Sequence, residues 1–416
     1  MLVFKFGGAS VKDAPSVRNL QRILSLYNDE IVVVISAMGK TTNALEKLTD
    51  SYFHGKDDWH VTFRQLKDFH YTIARELIAD ASNPLFITLD RIFDGLEQRM
   101  TVPASLNYDF EYDQIVSLGE LVSTTIVSAY LNFSGIRNQW VDVRRVLKTD
   151  STFREGKVDY ILSEKMASAT FTFKEVACYV TQGFIGSDKN NSTVTLGREG
   201  SDYTAAMLAY LLNAERVVIW KDVPGVLNAD PRLFSDAVKL DQISYRDAIE
   251  MTYYGASVIH PKTIKPLQNK NIALHVKSFI EPEEPGTVID RFAYKALIPS
   301  FIVKKDQVLL RISPRDFSFI DEENLKTIFG CFAQNGVRMN LMQNSAINFR
   351  ACVNNDASRL PRLLNDLQTA FEVSNEEGLD LVTIRYYDDA SIDRMSKGRE
   401  ILLEQKNPVT IQMVMK

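Results

Sequence analysis

The N-terminal residues combine a lysine with a glycine pair in a pattern that could hold phosphate. Lys5 lies within an apolar, aromatic-rich stretch, Leu2–Phe6, that predicts a β-strand, and Gly7 and Gly8 follow it directly. Glycines allow backbone N–H groups to approach an anion closely, and the lysine adds a positive charge beside them. The common P-loop has its lysine after the glycines, so this pattern is a different one. Taken alone, it favours an ordinary turn after a strand.

A second polar segment, residues 197–202 (GREGSD), separates a predicted strand from the helix predicted at 203–213. Ser201 and Asp202 stand at the start of that helix, where free N–H groups and the positive end of the helix dipole favour anions. Asp202 is also an ordinary acid of a first helical turn, and Arg198 could pair with its neighbour Glu199 on the surface. These residues alone leave a structural and a functional interpretation open.

Other polar residues at the ends of predicted elements admit the same two interpretations. Glu120 begins a long apolar helix, as a capping or first-turn acid would. Arg232 lies in a turn after Asp230-Pro231, and His260, before a proline, is typical of a hydrogen-bonded structural histidine. The five histidines have no metal-ligand spacing, so no metal site built by the protein is predicted.

The elements that carry these residues follow an order typical of an α/β domain. The first strand is followed by apolar residues at helical spacing within 15–27 and by the continuous apolar run 31–37, which suits a strand buried on both faces of a parallel sheet. Charged and aromatic residues from 52 to about 110 predict helices over the sheet edge. Further strands are predicted near 139–143, 176–182, 193–196, 216–220 and 272–277. We therefore predict a three-layer, mostly parallel α/β domain over residues 1–290, with ligands at the carboxyl ends of its strands.

Residues 291–416 change character and predict an α+β regulatory region. Its first part follows the βαββα order of ferredoxin-like modules, with predicted elements at 308–312, 323–334, 337–342, 347–353 and 359–367. A second copy begins with a strand at 381–386, continues with a helix over 391–404 and stops after one strand at 409–415. We therefore predict two tandem modules, of which the second is truncated.

The composition is that of an ordinary globular protein. The chain has 416 residues, of which 45% are hydrophobic and 24% charged, and a formal net charge of −5. This charge gives no reason to expect binding to nucleic acid or to a membrane surface, and no apolar run approaches the roughly 18 residues of a membrane span. The three cysteines are widely spaced and no export signal is recognisable, so a cytoplasmic location is expected.

In combination and in order, these motifs resemble the aspartokinases, which are amino acid kinases with C-terminal ACT regulatory modules. The matching segments are residues 5–10 (KFGGAS), 36–39 (SAMG) with Thr42-Asn43, Gly119-Glu120, 142–144 (DVR) with Thr149-Asp150, 197–202 (GREGSD), Lys221-Asp222, 230–232 (DPR) and His260-Pro261. The resemblance implies phosphorylation of the β-carboxylate of L-aspartate by MgATP to 4-phospho-L-aspartate, the first step of the lysine, threonine and methionine branch of amino-acid biosynthesis. It also implies a homodimer, since ACT modules usually pair by sheet edges.

The resemblance further assigns roles to individual residues. Lys5 would bridge the nucleophilic carboxylate and the transferred phosphate, and Asp202 would organise the site around that lysine. Arg198 would hold the α-carboxylate of the substrate, and Glu120 its α-amino group. The other implied contacts are with the amino acid for Thr42, Gly200 and Ser201, and with ATP for Gly7, Gly8, Ser10, Lys221, Asp222, Arg232 and Ser257. A carboxylate with an ordinary pKa of about 3.9 is already ionised at neutral pH, so this reaction needs positive charge rather than a general base.

Several positions depart from the family pattern. Ala9, Glu199, Lys221, Leu227 and Ser257 stand where the family usually has Thr, Gly, Thr, an aromatic residue and Lys. Ser257 removes a cation that would contact the nucleotide, and we expect Lys221 to restore one nearby. Glu199 adds negative charge beside an anionic substrate, which bears on turnover rather than on the fold.

The turn expected to bind an effector also departs from the family. Lysine-inhibited relatives usually carry an aspartate and a Ser-Glu pair there, whereas this chain has residues 339–346 (MNLMQNSA), with Asn340 and Ser345 as candidate effector contacts. An asparagine cannot neutralise an amine as an aspartate would. We therefore expect weak or absent inhibition by lysine, and feedback by another amino acid, such as threonine, stays open.

Two other functions compete with aspartate phosphorylation. One is an enzyme of the same fold that acts on glutamate, N-acetylglutamate or UMP; Glu120 and the ACT-like tail argue against it, because an N-acylated or nucleotide substrate offers no free amine. The other is a catalytically weak amino-acid sensor, which Ser257 and the truncated tail support. The retained Lys5, Arg198 and Asp202 argue against a sensor.

Overall fold

The computed structural model describes residues 1–56, 59–256, 259–292, 298–316 and 318–416. The described chain forms two compact units. The first takes its residues from Met1–Val226, Lys239–Ile249 and Ile259–Ala293, and the second from Leu227–Val238, Glu250–Val258 and Tyr294–Lys416. The boundary near residue 290 between a catalytic domain and a regulatory region stays a prediction.

The first unit is built from alternating strands and helices. Its strands are β1 (Leu2–Phe6), β2 (Ile31–Ile35), β3 (Gln139–Val141), β4 (Cys178–Gln182), β5 (Ile185–Ser187), β6 (Thr193–Thr195), β7 (Arg216–Lys221), β8 (Gln242–Ser244), β9 (Ala273–Ser278) and β10 (Thr287–Asp290). Its helices are α1 (Ala14–Leu24), α2 (Thr41–Phe53), α3 (Trp59–Leu77), α4 (Pro84–Met100), α5 (Tyr108–Val116), α6 (Leu118–Phe133), α7 (Tyr160–Thr170), α8 (Gly200–Leu212), α9 (Tyr245–Tyr254) and α10 (Pro261–Lys270). Helix α9 ends in the second unit.

Eight of these strands form one sheet in the order β3-β4-β2-β1-β7-β9-β10-β8, and every pair except β9–β10 is parallel. Strand β1 lies near the centre, with Lys5 in register with Val34 of β2 and Ile219 of β7. All five side chains of β2 are buried, which explains its continuous apolar run. The predicted mostly parallel α/β architecture is confirmed.

Helix α10 was not predicted, because its sequence, PKTIKPLQNK, is polar and contains Pro266. His260 caps this helix: its Nδ1 accepts a hydrogen bond from the Lys262 N–H at 3.2 Å. The structural interpretation of His260 is therefore confirmed.

One helical stretch, Tyr108–Phe133, is long and apolar enough to cross a membrane. It comprises α5 and α6, and 78% of its most apolar window is buried inside the protein. Side chains from α6, including Val122, Ile126 and Leu131, belong to the main hydrophobic core. In this fold the stretch is a core element.

The second unit has an antiparallel sheet with helices. Its elements are β11 (Ser300–Pro314), α11 (Glu322–Gln334), β12 (Met339–Asn344), β13 (Phe349–Asn354), α12 (Leu360–Gln368), β14 (Phe371–Arg385), α13 (Asp389–Ser396), β15 (Ile401–Lys406) and β16 (Thr410–Met415). The six strands follow the order β12-β13-β11-β14-β16-β15. This arrangement is consistent with the predicted ACT modules.

Strands β11 and β14 are each 15 residues long, so the strands predicted at 308–312 and 381–386 were too short. Each of these two long strands contributes residues to both repeats. From Gln307 to Ile312, β11 pairs with β13, whereas Ser300 to Lys304 pair with the last residues of β14, which in turn pair with β16.

The helix predicted over 391–404 is wrong in its second half. Helix α13 ends at Ser396, and Ile401–Lys406 form β15, which pairs with β16. Gly398 lies between them with φ of 76°, a left-handed conformation that ends a helix. The second repeat therefore has two strands after its helix, so the prediction that it stops after a single strand is wrong. Its truncation relative to the first repeat stays a prediction.

Candidate active site

A cleft of about 850 Å³ opens in the first unit at the carboxyl ends of central strands. Eight of the residues predicted from the sequence line it: Lys5, Thr42, Glu120, Arg198, Gly200, Ser201, Asp202 and Lys221. The topology explains this convergence, because β1, β2 and β7 are parallel neighbours and their carboxyl ends meet at one sheet edge.

An ion pair between Lys5 and Asp202 stands in this cleft. The Lys5 Nζ lies 2.6 Å from the Asp202 Oδ1, and the two side chains are only 12% and 7% exposed. Asp202 is positioned by α8, which begins at Gly200, three residues before the predicted start. Because the pair is largely shielded from water, Asp202 fixes the position of the Lys5 ammonium group.

Two glycines allow the connection between β4 and β5 to pack against the start of α8. A Cβ at Gly200 would lie 2.6 Å from the Phe184 Cδ2, and a Cβ at Gly183 would lie 2.5 Å from the Ser201 Cβ. Both distances are shorter than any ordinary contact, so only glycine fits. Close packing of these two segments holds Ser201 at the cleft wall.

The glycine pair after β1 has a packing role of its own. The Gly8 carbonyl accepts a hydrogen bond from the Gly39 N–H at 3.0 Å, and a Cβ at Gly8 would lie 2.7 Å from the Ala37 carbonyl oxygen. The loops after β1 and β2 therefore pack directly on each other. This contact places the loop that precedes Thr42 beside the end of the Lys5 strand.

Five described residues that the resemblance assigns to ATP are not among those that line the cleft. Gly7, Gly8, Ser10 and Asp222 belong to the first unit, and their nucleotide contacts stay predictions. Arg232 belongs to the second unit, where it pairs with Asp230 at 2.7 Å and has a side chain 84% exposed. Ser257 lies outside the described residues.

Glu120 is buried with an incompletely satisfied carboxyl group. Its Oε1 accepts a hydrogen bond from the Ala37 N–H at 3.1 Å, whereas its Oε2 has no hydrogen-bond partner in the described part of the chain. Burial raises the pKa of Glu120 to about 8, against the opposing effects of that N–H and of the Lys5 charge. The group is therefore ready to accept a donor from a ligand.

Arg198 and Glu199 do not pair with each other. Arg198 is exposed at the cleft and has no hydrogen bond or ion pair to any other described residue. The Glu199 carboxylate instead accepts the His260 N–H at 3.1 Å, at the beginning of α10. The surface pair considered from the sequence is not formed, and the Arg198 guanidinium is open to a ligand.

The cleft also contains residues that the sequence did not indicate. Besides Ser36, Gly197 and Glu199, which belong to the predicted motifs, they are Glu46, Asp109, Tyr112, Thr152, Phe153, Arg154, Glu155, Phe184 and Thr195. Several belong to α5 or to the loop before α7. Helix α5 was not predicted, and the predicted motif in that loop ends at Thr149-Asp150, before Thr152 to Glu155, so no sequence signal placed these residues here.

The candidate effector residues lie in the second unit and do not contact each other. The Asn340 Oδ1 accepts a hydrogen bond from the Lys304 Nζ at 2.8 Å, and its amide nitrogen donates to Gln307 at 2.7 Å and to Asn354 at 2.8 Å. We call Lys304, Gln307, Asn340 and Asn354 the Asn340 cluster. Ser345 instead donates to the Asn348 carbonyl at 3.1 Å.

Comparison with known proteins places the chain in a family. Residues 1–278 match the model of the amino acid kinase family. The match covers more than half of the chain and includes every residue of the cleft. The protein therefore belongs to the amino acid kinase family and is a kinase.

Within this family the chain is an aspartokinase homologue. It is 31% identical over 398 residues to lysine-sensitive aspartokinase 3 of Escherichia coli K12, which covers 92% of this chain and 86% of that protein. It is 34% identical over 292 residues to bifunctional aspartokinase/homoserine dehydrogenase 1 of Zea mays, of whose length it spans 32%.

Solved structures agree with this assignment. The fold matches E. coli aspartokinase III in complex with aspartate and ADP with a TM-score of 0.82, at 27% identity and over 100% of this chain and 96% of that chain. The complex of the same enzyme with lysine and aspartate matches with a TM-score of 0.83 at 28% identity, over 100% and 95% of the two chains. The resemblance drawn from the sequence motifs is confirmed.

Proposed function

We propose that the protein transfers the γ-phosphoryl group of ATP to the β-carboxylate of L-aspartate. One observation carries the proposal: three side chains converge in one cleft, namely a buried acid and an arginine that both lack a partner for a charged group among the described residues, and a lysine fixed by an ion pair. An amino acid with a second carboxylate presents the complementary groups. The complex of the E. coli relative with aspartate and ADP supports this choice.

Glu120 would bind the α-amino group. Its Oε2 is buried and has no hydrogen-bond partner in the residues that the structure describes, and an ammonium group is a donor that would satisfy it. The pKa of about 8 means that the empty site favours the protonated acid near neutral pH. A bound ammonium favours the ionised form, because an opposite charge lowers the pKa of a carboxyl group. Substrate binding and ionisation of Glu120 are therefore coupled.

Arg198 would bind the α-carboxylate. A guanidinium group matches a carboxylate with two parallel hydrogen bonds, and no other described residue competes for it. Ser201 and Gly200 stand at the N-terminus of α8, where free N–H groups also favour an anion. Thr42, which also lines the cleft, would add a further hydrogen bond to the amino acid.

Lys5 would stabilise the reacting centre. An oxygen of the β-carboxylate forms a bond to the γ-phosphorus, the bond from that phosphorus to the bridging oxygen of ADP breaks, and no proton is transferred. Negative charge from the carboxylate and the phosphates accumulates at one place, and catalysis then rests on fixed positive charge. Asp202 holds the Lys5 ammonium where that charge is required.

ATP and Mg²⁺ complete the proposal. Among the described residues no group of three His, Cys, Asp or Glu side chains could hold a metal ion. This fits Mg²⁺ that arrives with the nucleotide, since Mg²⁺ in kinases is bound largely by phosphate oxygens and water. When bound, the ion would neutralise part of the phosphate charge. Lys221, at the end of β7, would add a further cation at the cleft.

An assay of ADP release with a panel of acceptors tests the proposal. With MgATP, we expect release with L-aspartate and none above background with glutamate, N-acetylglutamate or UMP. N-acetylaspartate is the matched control, because it retains both carboxylates and lacks the amine that Glu120 would bind. Tight binding of aspartate without ADP release would favour the amino-acid sensor instead.

The wider context follows from this activity. We propose that the product enters the biosynthetic branch towards lysine, threonine and methionine, and that an amino-acid effector acts at the ACT modules. The lysine complex of the E. coli relative supports an effector of this class. A homodimer and a cytoplasmic location stay predictions.

A further inference from the structure

Three non-glycine residues of the cleft have a left-handed backbone conformation. They are Arg154, Phe184 and Glu199, with φ of 68°, 69° and 53°. Residues with a Cβ rarely adopt this conformation, and such strain concentrates at binding and catalytic sites. Of the three, Arg154 is the one with a cationic side chain, and neither the sequence motifs nor the proposed function gives it a role.

Asp113 holds the backbone of Arg154 in place. Its Oδ2 accepts hydrogen bonds from the Arg154 N–H and the Thr195 N–H, both at 2.9 Å, and its Oδ1 accepts the Thr195 hydroxyl at 2.6 Å. The Asp113 side chain is completely buried. A buried residue of α5 therefore fixes the strained residue to β6, next to the motif that contains Arg198.

The two arginines lie at the same end of the cleft. A Cβ built on Gly197 would lie 3.2 Å from the Arg154 carbonyl oxygen, so the loop of Arg154 packs against the residue that precedes Arg198. Both side chains line the cleft.

The Arg154 guanidinium is oriented by two residues of α5. Its carbon atom lies 4.4 Å from the centre of the Tyr112 ring, and its Nη1 lies 3.2 Å from the Asp109 Oδ1. The Tyr112 hydroxyl donates a hydrogen bond to the Glu46 carboxylate at 2.6 Å, which fixes the position of the ring. The Arg154 and Asp109 side chains are 46% and 54% exposed, so their ion pair is weak and replaceable.

We propose that Arg154 is a second substrate arginine, which works with Arg198 to bind a carboxylate of the amino acid. Asp109 occupies the guanidinium until the substrate carboxylate replaces it, and Tyr112 keeps the planar group in position. The inference rests on the proposed function and names an additional residue for substrate selection. A glycine would adopt φ of 68° without strain. An arginine at this position therefore supplies a positive charge although its backbone conformation is strained.

Two variants with opposite expected effects test the inference. Arg154→Gly relieves the backbone and removes the charge, so we expect the KM for aspartate to rise about tenfold. The KM for ATP should stay unchanged, and the melting temperature should not fall. Asp109→Asn removes the competing carboxylate, so we expect the KM for aspartate to fall by about two- to fivefold, the range of a half-exposed ion pair. If the ion pair between Arg154 and Asp109 were purely structural, both variants would change the KM for aspartate in the same direction.

Asn191→Gly is the matched control. Asn191 also has a left-handed backbone, with φ of 60°, but it does not line the cleft, so its replacement should leave both KM values unchanged. An unchanged KM for aspartate in Arg154→Gly, or a rise in both cleft variants, would overturn the inference.

Calorimetric titration of the same variants with aspartate separates this inference from the proposed function. If the wild type binds aspartate but releases no ADP, the proposed function fails while the affinities of the two variants still decide the role of Arg154. If the wild type neither binds aspartate nor responds to it, both fail.

Discussion

The cleft of the first unit and the Asn340 cluster of the second unit treat their polar groups in opposite ways. In the cleft, Glu120 keeps one buried oxygen without a partner, and Arg198 has none among the described residues. In the Asn340 cluster, the ammonium group of Lys304 and the side-chain amides satisfy one another. The cleft is therefore arranged for charges that a ligand brings, whereas the polar side chains of the cluster are already hydrogen-bonded to one another.

The difference matters because sequence patterns marked both regions as ligand sites. A ligand amine at Asn340 would have to share the Oδ1 atom with the Lys304 Nζ, which is also a cationic donor, or displace it. At Glu120 a ligand amine displaces no described side chain, since none is hydrogen-bonded to the Oε2 atom. Unsatisfied buried groups, rather than the residue types alone, distinguish a prepared site from a position that merely resembles one.

The largest expected effect comes from Lys5→Ala. It removes the cation at the reacting centre and leaves the Asp202 carboxylate unpaired, so we expect kcat to fall by about a thousandfold. Steady-state ADP release measures the loss. Lys12→Ala, which changes an exposed lysine of the following loop, is the control and should retain activity. A fall in kcat of less than tenfold would show that Lys5 does not act at the reacting centre.

Glu120→Gln sharpens the comparison at the open oxygen. The amide has nearly the same shape but no negative charge for the ammonium group, so the KM for aspartate should rise by about 10- to 100-fold. The KM for ATP should stay close to that of the wild type. If both constants rose together, the variant would have disturbed the cleft as a whole.

The pH dependence of stability provides a smaller effect at the same residue. The pKa of Glu120 is raised from 4.5 to about 8 in the folded protein, so the native state binds more protons than the unfolded state between these values. The contribution of this group to the free energy of unfolding is therefore lost as pH rises from about 4.5 to about 8.

Glu120→Gln should remove that dependence. The difference in melting temperature between variant and wild type should grow in favour of the variant from pH 5 to pH 8, as scanning calorimetry would show. A constant difference across this range would mean that Glu120 is ionised in the empty site.

The smallest expected effect is at the Asn340 cluster. Because Lys304 already satisfies Asn340, lysine should inhibit initial rates weakly or not at all. A titration of initial rates with lysine tests this, with threonine titrated in parallel. Half-maximal inhibition below about 1 mM lysine, equivalent to a binding free energy stronger than about −4 kcal/mol, would contradict the comparison.

The sequence predicted the parts of the site that depend on local pattern. The strand of Lys5 and the start of α8 with Asp202 are local features, and the parallel order of strands accounts for their convergence. The sequence did not predict that α5 forms part of the cleft wall. Asp113 of α5 is hydrogen-bonded to Thr195, 82 positions away in the chain, and no local pattern encodes such a contact. The open oxygen of Glu120 likewise depends on burial by the whole fold.

Errors in the second unit have a different origin. The pattern of apolar residues continues across Gly398, so one long helix was predicted where a helix and β15 are separated by that glycine. The long strands β11 and β14 were underestimated because parts of each belong to different repeats.

Trapping the product with hydroxylamine tests the central claim most directly. An acyl phosphate reacts with hydroxylamine to give a stable hydroxamate, and its structure records which carboxylate received the phosphoryl group. With MgATP and L-aspartate, we predict the β-hydroxamate alone, formed by the wild type and lost in Lys5→Ala. Formation of the α-hydroxamate, or release of ADP without any hydroxamate, would contradict the placement of the α-carboxylate at Arg198 and of the β-carboxylate at Lys5.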